Sequence, residues 1–229
     1  MGAIVEETET VCYAWALEPN HFHLLLRTGS VPIATVMRRL LTGHATRYNR
    51  RHRRRGHLFQ NRYKSILCQE DSYFLELVRY IHLNPLRARL VEDMDSLGKY
   101  PFSGHGVIMG KTHRPWQNLD KVLSRFGQQK GPARRGYRAF VAKGIEQGRR
   151  PDLTGGGIAP EPRGLGGKNL RKAGGHLKSD ERILGDSSFV EVVLAEGQEA
   201  MERKYALQAQ GLGLDDVAGR VADLLGMEL

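Results

Sequence analysis

Cysteine is nearly absent from this chain. Cys12 and Cys68 are its only two, far apart and without the close second ligand of a structural zinc site. A disulfide scaffold is therefore excluded, and both read as reduced core residues of a cytosolic protein. Long apolar runs are missing as well: no stretch reaches the ~18 residues that would span a bilayer. Residues Met1-Gly2-Ala3-Ile4-Val5-Glu6-Glu7 carry acids where a signal peptide is basic. They also lack the Ser or Thr that a myristoylation motif needs. No internal repeat is visible. The Gly- and Pro-rich residues 153–167 follow no strand and end in no Lys-Ser or Lys-Thr pair, which excludes a nucleotide phosphate loop. Acid is in short supply, with 25 Asp+Glu against 35 Lys+Arg and a formal net charge of +10. That imbalance favours a polyanionic partner, either nucleic acid or an anionic membrane surface. The 229 residues are enough for one large domain or two small ones.

What is present begins with Pro19-Asn20-His21-Phe22-His23-Leu24-Leu25-Leu26. Alternate residues of a strand share a face, so His21 and His23 would point one way and Phe22 the other. Two neutral imidazoles side by side make a two-point metal site. A lone His-x-His pair is equally compatible with two ordinary polar strand positions. Glu18-Pro19-Asn20 reads as a turn or bulge, with Glu18 an exposed turn residue more readily than a carboxylate near a metal.

A helix is expected where Phe74, Leu77, Val78 and Ile81 recur at helical spacing, with Asp71 or Ser72 as cap and Pro85 as its close. Tyr80 and Asn84 are four apart and share a face. Pro85 places Asn84 in the last turn, where its amide can reach outward. Among the neighbouring tyrosines, Tyr48 ends the apolar stripe of its helix, Tyr63 lies on a strand, and Tyr73 has Leu77 at i+4. Only Tyr80 has an amide there, which singles it out as the nucleophile. His82 points away from the Tyr80 face and reads as structural; His44 and His57 read as structural or phosphate-facing.

Around these motifs the pattern predicts strands over 11–17 and 21–27 and a helix over 32–51. A strand-like stretch is expected over 58–68, with amphipathic helices over 116–126 and 135–147. A further helix should follow Asp186-Ser187-Ser188, and residues 214–225 form a last amphipathic stretch. The outer face of the 32–51 helix carries Arg38, Arg39 and Arg47. It runs into Arg50, Arg51, Arg53, Arg54 and Arg55, and Arg62 and Lys64 follow. These side chains are candidate phosphate contacts, which position a nucleic acid without reading its sequence. Phe59, Tyr63 and His57 are the nearest aromatics for base stacking, though core packing is the expected role of all three.

Three ordered motifs carry a family resemblance: Pro19-Asn20-His21-Phe22-His23-Leu24-Leu25, Gly56-His57-Leu58-Phe59-Gln60-Asn61-Arg62-Tyr63-Lys64, and Tyr80-Ile81-His82-Leu83-Asn84-Pro85. Over roughly residues 1–110 the chain resembles the HUH single-tyrosine transposases, in particular their REP-associated tyrosine transposase branch. The resemblance implies an α+β catalytic domain over 1–110, with an antiparallel sheet and packed helices of HUH/ferredoxin-like type, and a mainly helical region over 111–229. Family members begin with an earlier strand and most of a helix, so the chain is expected to be truncated at its N-terminus. Longer relatives continue into a helical DNA-binding module, which leaves the same open for the C-terminus.

By position, the resemblance makes His21 and His23 the metal pair, Tyr80 the nucleophile and Asn84 the third protein ligand, with Mg²⁺ or Mn²⁺ as the cation. It implies a metal-dependent endonuclease and strand transferase on single-stranded or hairpin DNA. Its phosphotyrosine intermediate would hold the 5′ side and release a 3′ hydroxyl. DNA would be the partner of a cytoplasmic, nucleoid-associated monomer or homodimer, with no membrane partner. Two other readings stay open: a DNA-binding protein whose nuclease has decayed, and a metal-dependent hydrolase without a covalent intermediate.

Overall fold

A tight antiparallel hairpin is the centre of the fold. In a computed structural model that describes residues 1–148, 150–153 and 180–209, β1 (Val11–Leu17) pairs with β2 (Phe22–Arg27). The register sets Leu17 opposite Phe22, Ala16 opposite His23 and Trp15 opposite Leu24, with an irregularity between Cys12 and Ala14. The Gly/Pro-rich stretch from 154 onward and the amphipathic stretch 214–225 lie outside the described residues.

Side-chain alternation sorts the hairpin as the sequence predicts. Leu24 and Leu26 pack with Cys12, Trp15 and Val107 on one side. Leu25 packs on the other, against the cluster that contains Phe74, Val78 and Ile81. Those three residues belong to α3 (Glu70–Arg87), whose apolar stripe lies on that face of the hairpin. Short α1 (Gly2–Glu7) and long α2 (Ile33–Arg51) pack on each other. Beyond α3 come α4 (Met94–Lys99), α5 (His105–Ile108), α6 (Asp120–Ser124) and α7 (Lys130–Ala142). Of these, α4 to α7 send Leu97, Ile108, Val122, Leu123, Tyr137 and Val141 into the core cluster that β1 and α3 share. A two-residue parallel pairing joins β3 (Leu67–Cys68) to β4 (Ile183–Leu184), and α8 (Ser187–Ala209) follows. The architecture is α+β: a two-stranded antiparallel sheet, packed helices and a mostly helical later region.

Three local expectations are corrected. The 58–68 stretch forms a strand only at Leu67–Cys68, because most of its preceding side chains are exposed and alternate poorly, leaving no apolar face to bury. The helix over 116–126 shrinks to five residues, since Trp116 and Gln117 turn toward β1 instead. Helix α3 starts at Glu70 after Gln69 and runs through Pro85 to Arg87. Proline removes one amide donor, but the turn is held beyond it, where the Ala88 N–H donates to Asn84 O and the Leu90 N–H to Pro85 O.

The outer edge of β1 is satisfied by loops. Leu17 N–H donates to Phe102 O, Gly104 N–H to Trp15 O and Asn118 N–H to Cys12 O, each at 2.8 Å. Gln117 spans the same edge, accepting from Trp15 Nε1 at 2.8 Å and donating to Tyr13 O at 3.1 Å. Position 104 has to be glycine here, because an added Cβ would stand 2.8 Å from the Gln117 amide and 2.9 Å from His82 Nε2.

Beneath this edge lies a wholly buried chain of His82, Tyr137 and His105. Tyr137 Oη is 2.7 Å from His82 Nδ1 and 2.9 Å from His105 Nδ1. One hydroxyl proton cannot serve both rings, so one imidazole donates to Tyr137 and the other accepts from it. His82 Nε2 is buried without a partner. A lone pair is less costly than an N–H there, so His82 donates through Nδ1 and Tyr137 donates onward to His105. Burial first and His105 second hold His82 well below the ordinary imidazole range. Burial, with Arg138 nearby, pushes His105 down to about 4.

Both rings stay neutral in the fold while the unfolded chain protonates near 6.5, so stability is full above that pH and is lost as pH falls from 6.5 toward 4. Each histidine adds about 1.4 kcal/mol per pH unit at most. Urea unfolding midpoints should fall steeply from pH 6.5 to 5, including in His23→Ala, which removes the site histidine that burial also pushes down to about 4. A flat profile would show that the buried pair does not titrate on unfolding.

Candidate active site

The hairpin turn brings the first three polar groups together. Glu18 N–H donates to His21 O at 2.9 Å, closing a four-residue turn between β1 and β2. His21 and His23 then stand edge to face, with ring centroids 5.0 Å apart, as strand alternation predicts. Glu18 departs from expectation. Its side chain is only 5 % exposed, and its Oε2 lies 3.1 Å from His21 Nε2. One ligand atom from each of Glu18, His21 and His23 lies within 4.8 Å of the other two.

Helix α3 supplies the fourth group. Tyr80 lies edge to face against His23, with centroids 5.9 Å apart. Tyr80 is half-buried, and burial raises its phenol above the ordinary value. The Arg87 guanidinium pulls the other way, standing 5.2 Å from the centre of the Tyr80 ring, while the Glu18 carboxylate adds to the rise. Arg87 also donates weakly to Tyr80 O at 3.5 Å and to Gly144 O at 3.4 Å. His23 is pushed down to about 4, first by burial and then by His21. A neutral imidazole has its lone pair ready for a metal.

Asn84 lies one turn beyond Tyr80 on the same helix. Its side chain is buried rather than directed outward, and its Nδ2 has no hydrogen-bond partner. Tyr100 Oη donates to Leu17 O at 3.1 Å, next to Glu18, whereas Tyr48 and Tyr73 have other neighbours. Tyr48 stacks on His52 with centroids 4.3 Å apart, and Tyr73 packs beside Leu77, Leu153 and Leu184. His82 belongs to the buried chain described above. Motif reading missed Arg87 and ranked Glu18 as an exposed turn residue ahead of a carboxylate near the metal. A four-residue turn brings positions i and i+3 together, which is the signal that could have marked Glu18. Nothing local marks Arg87, which meets Tyr80 only because the helix continues past Pro85.

The basic side chains are spread along α2 and the loop after it. Arg38, Arg47, Arg50, Arg51, Arg53, Arg54, Arg55, Arg62 and Lys64 are exposed. Arg39 is exposed as well but is engaged in an ion pair with Glu7. Past the helix the chain turns sharply, with Arg53 at φ 50° and Gly56 at φ 88°. Asn49 Nδ2 donates to Gly56 O at 2.9 Å across this turn. The Arg54 guanidinium lies 5.9 Å from the centre of the Tyr48 ring. Cations and rings are therefore interleaved along one end of α2.

Residues 1–84 match the family model described as Transposase IS200 like. That span holds the whole set from Glu18 through Asn84, and the match supports a transposase reading of this part of the chain. No curated protein and no solved structure matches the chain. No helix among the described residues is long and apolar enough to cross a membrane.

If the Arg53–Arg55 turn contacts phosphates, replacing all three arginines with Ala should flatten the slope of log affinity against log salt. The expected change for single-stranded DNA is roughly 2 units, at about 0.7 per lost contact. Fluorescence anisotropy over a salt series measures this, and an unchanged slope would make the turn a solvated loop.

Proposed function

We propose that the chain is a metal-dependent endonuclease and strand transferase that cuts single-stranded or hairpin DNA through a covalent link to Tyr80. One observation carries this reading: the edge-to-face contact of Tyr80 with His23, which joins a phenol on α3 to the imidazole pair at the start of β2. The family match over residues 1–84 supports a transposase-like activity, with which this chemistry is consistent.

A divalent cation suits the donors. One ligand atom from each of two imidazoles and a nearby carboxylate lies within 4.8 Å of the others. His21, His23 and Asn84 would hold the cation, and nitrogen with amide oxygen fits Mn²⁺ better than Mg²⁺. When bound, the cation supplies Lewis-acid stabilisation of charge on the scissile phosphate.

The chain's own residues do the rest. The Tyr80 phenol oxygen attacks phosphorus and loses its proton. The bond from phosphorus to the 3′ oxygen breaks, that oxygen leaves as a hydroxyl, and the 5′ phosphate becomes a tyrosine ester. A phenol has an ordinary pKa of about 10, and burial raises this one further. Arg87 beside the ring offsets part of that rise by favouring the phenolate. The basic end of α2, with Arg62 and Lys64, would position the DNA backbone.

Tyr80→Phe keeps the ring and its packing on His23 but removes the attacking atom. With labelled hairpin DNA and Mn²⁺, wild type should give a denaturant-resistant protein–DNA band, and Tyr80→Phe should give none while binding DNA with nearly unchanged affinity. An adduct that survives in Tyr80→Phe would move the role to another tyrosine. Cleavage by wild type without any adduct would favour direct hydrolysis, and binding without cleavage a decayed nuclease.

A further inference from the structure

We propose that Glu18 is a direct ligand of the cation held by His21 and His23, so that the metal is bound through a Glu-x-x-His-x-His set. This rests on the metal reading above and adds a residue to it.

Polarity at the turn is the first argument. His21 Nδ1 lies 2.7 Å from Asn20 Oδ1, an acceptor, so Nδ1 carries the proton and donates it there. The other ring nitrogen, Nε2, faces Glu18 Oε2 at 3.1 Å. The ring nitrogen and the carboxylate oxygen thus aim at one shared space, where a cation can bind to both. Asn20 thus acts as the outer hydrogen-bond partner that fixes the tautomer of a ligating histidine.

Burial is the second argument. Glu18 sits in a turn, where a carboxylate can ordinarily point into water, yet its side chain is only 5 % exposed. Its other oxygen, Oε1, is buried with no hydrogen-bond partner. A buried, unpaired carboxylate oxygen is unfavourable unless a positive charge offsets its desolvation. The turn forces this placement, because the Glu18 N–H to His21 O bond fixes the two residues on opposite sides of one tight loop.

Donor chemistry is the third. The three ligand atoms lie within 4.8 Å of one another, a spacing that small side-chain rotations bring to that of ligands sharing one ion. Two imidazoles and one carboxylate are a familiar three-ligand set that leaves open positions for substrate or water. The carboxylate contributes a full negative charge that an amide cannot, so it raises affinity for a dication. It also lowers the net charge left to act on the phosphate.

Mn²⁺ titration calorimetry, paired with water-proton relaxation per bound ion, tests this on the full chain. Glu18→Gln keeps the shape but loses the charge. Affinity should fall by at least about tenfold. Glu18→Met, which has no oxygen to coordinate, should show the same loss with higher relaxation per bound Mn²⁺ as one more water enters the vacated position, and His23→Ala should lose binding. Unchanged affinity in both Glu18 variants, with loss in His23→Ala, would overturn the Glu18 assignment and leave the histidine pair standing. Weaker binding of Glu18→Met without added water would also overturn it, making Glu18 a group that only orients His21. A wild type that binds no Mn²⁺ would remove the metal reading itself, and this proposal with it.

Discussion

The packing of α3 on one face of the β1–β2 hairpin is the contact on which the site depends. Phe74, Leu77, Val78 and Ile81 are all at most 6 % exposed, and burying each such side chain contributes about 1.5–3 kcal/mol. Together they fix both the height and the rotation of the helix. Tyr80 lies at the edge of this apolar stripe, beside Leu77, so the rotation that buries the stripe leaves it half-buried next to His23. A helix turned by one residue would still bury apolar area but would separate the phenol from the imidazoles. The Tyr13–Phe74 ring contact, edge to face at 5.0 Å, ties the start of the helix to β1. The geometry at Tyr80 therefore follows from core packing at a distance from it.

Polar interactions hold what the apolar core cannot. The edge of β1 is closed by Gln117 and the 102–104 loop rather than by another strand among the described residues. The Tyr137 hydroxyl links α3, α5 and α7 through His82 and His105. Buried Arg79 is anchored by Glu76, by Gln147 and by the face of Phe140. The later chain is attached by a reciprocal pair: Gln69 Nε2 donates to Asp186 Oδ2, and the Asp186 N–H donates to Gln69 Oε1. The buried networks among these specify one arrangement, because a buried donor left unpaired costs about 1–3 kcal/mol.

The sequence made much of this legible wherever a short-range period is enforced by burial. The two-residue alternation of 21–27 put His21 and His23 on one face. The helical spacing from Phe74 to Ile81 gave a helix with Tyr80 and Asn84 on it, and α2 begins next to Pro32 as the pattern requires. What stayed hidden depends on partners far along the chain. Glu18 reads as an exposed turn residue until the turn folds back on His21. Gln117 and Gly104 carry no pattern, and their value lies in meeting Trp15 and His82. Pro85 is a helix stop by local rules, and the turn beyond it is secured by the Ala88 and Leu90 amides. The strand expected over 58–68 failed for the opposite reason, since a local preference found no face to bury.

The claim at the centre of this account is that the turn–strand histidines and the α3 tyrosine converge on one cation. Crystals grown with Mn²⁺ and measured at the manganese absorption edge test it directly. The account expects a single anomalous peak shared by His21 and His23, on the side of the hairpin that faces Tyr80. A protein whose only manganese peak lies elsewhere, or whose Tyr80 ring is turned away from His23, would contradict it.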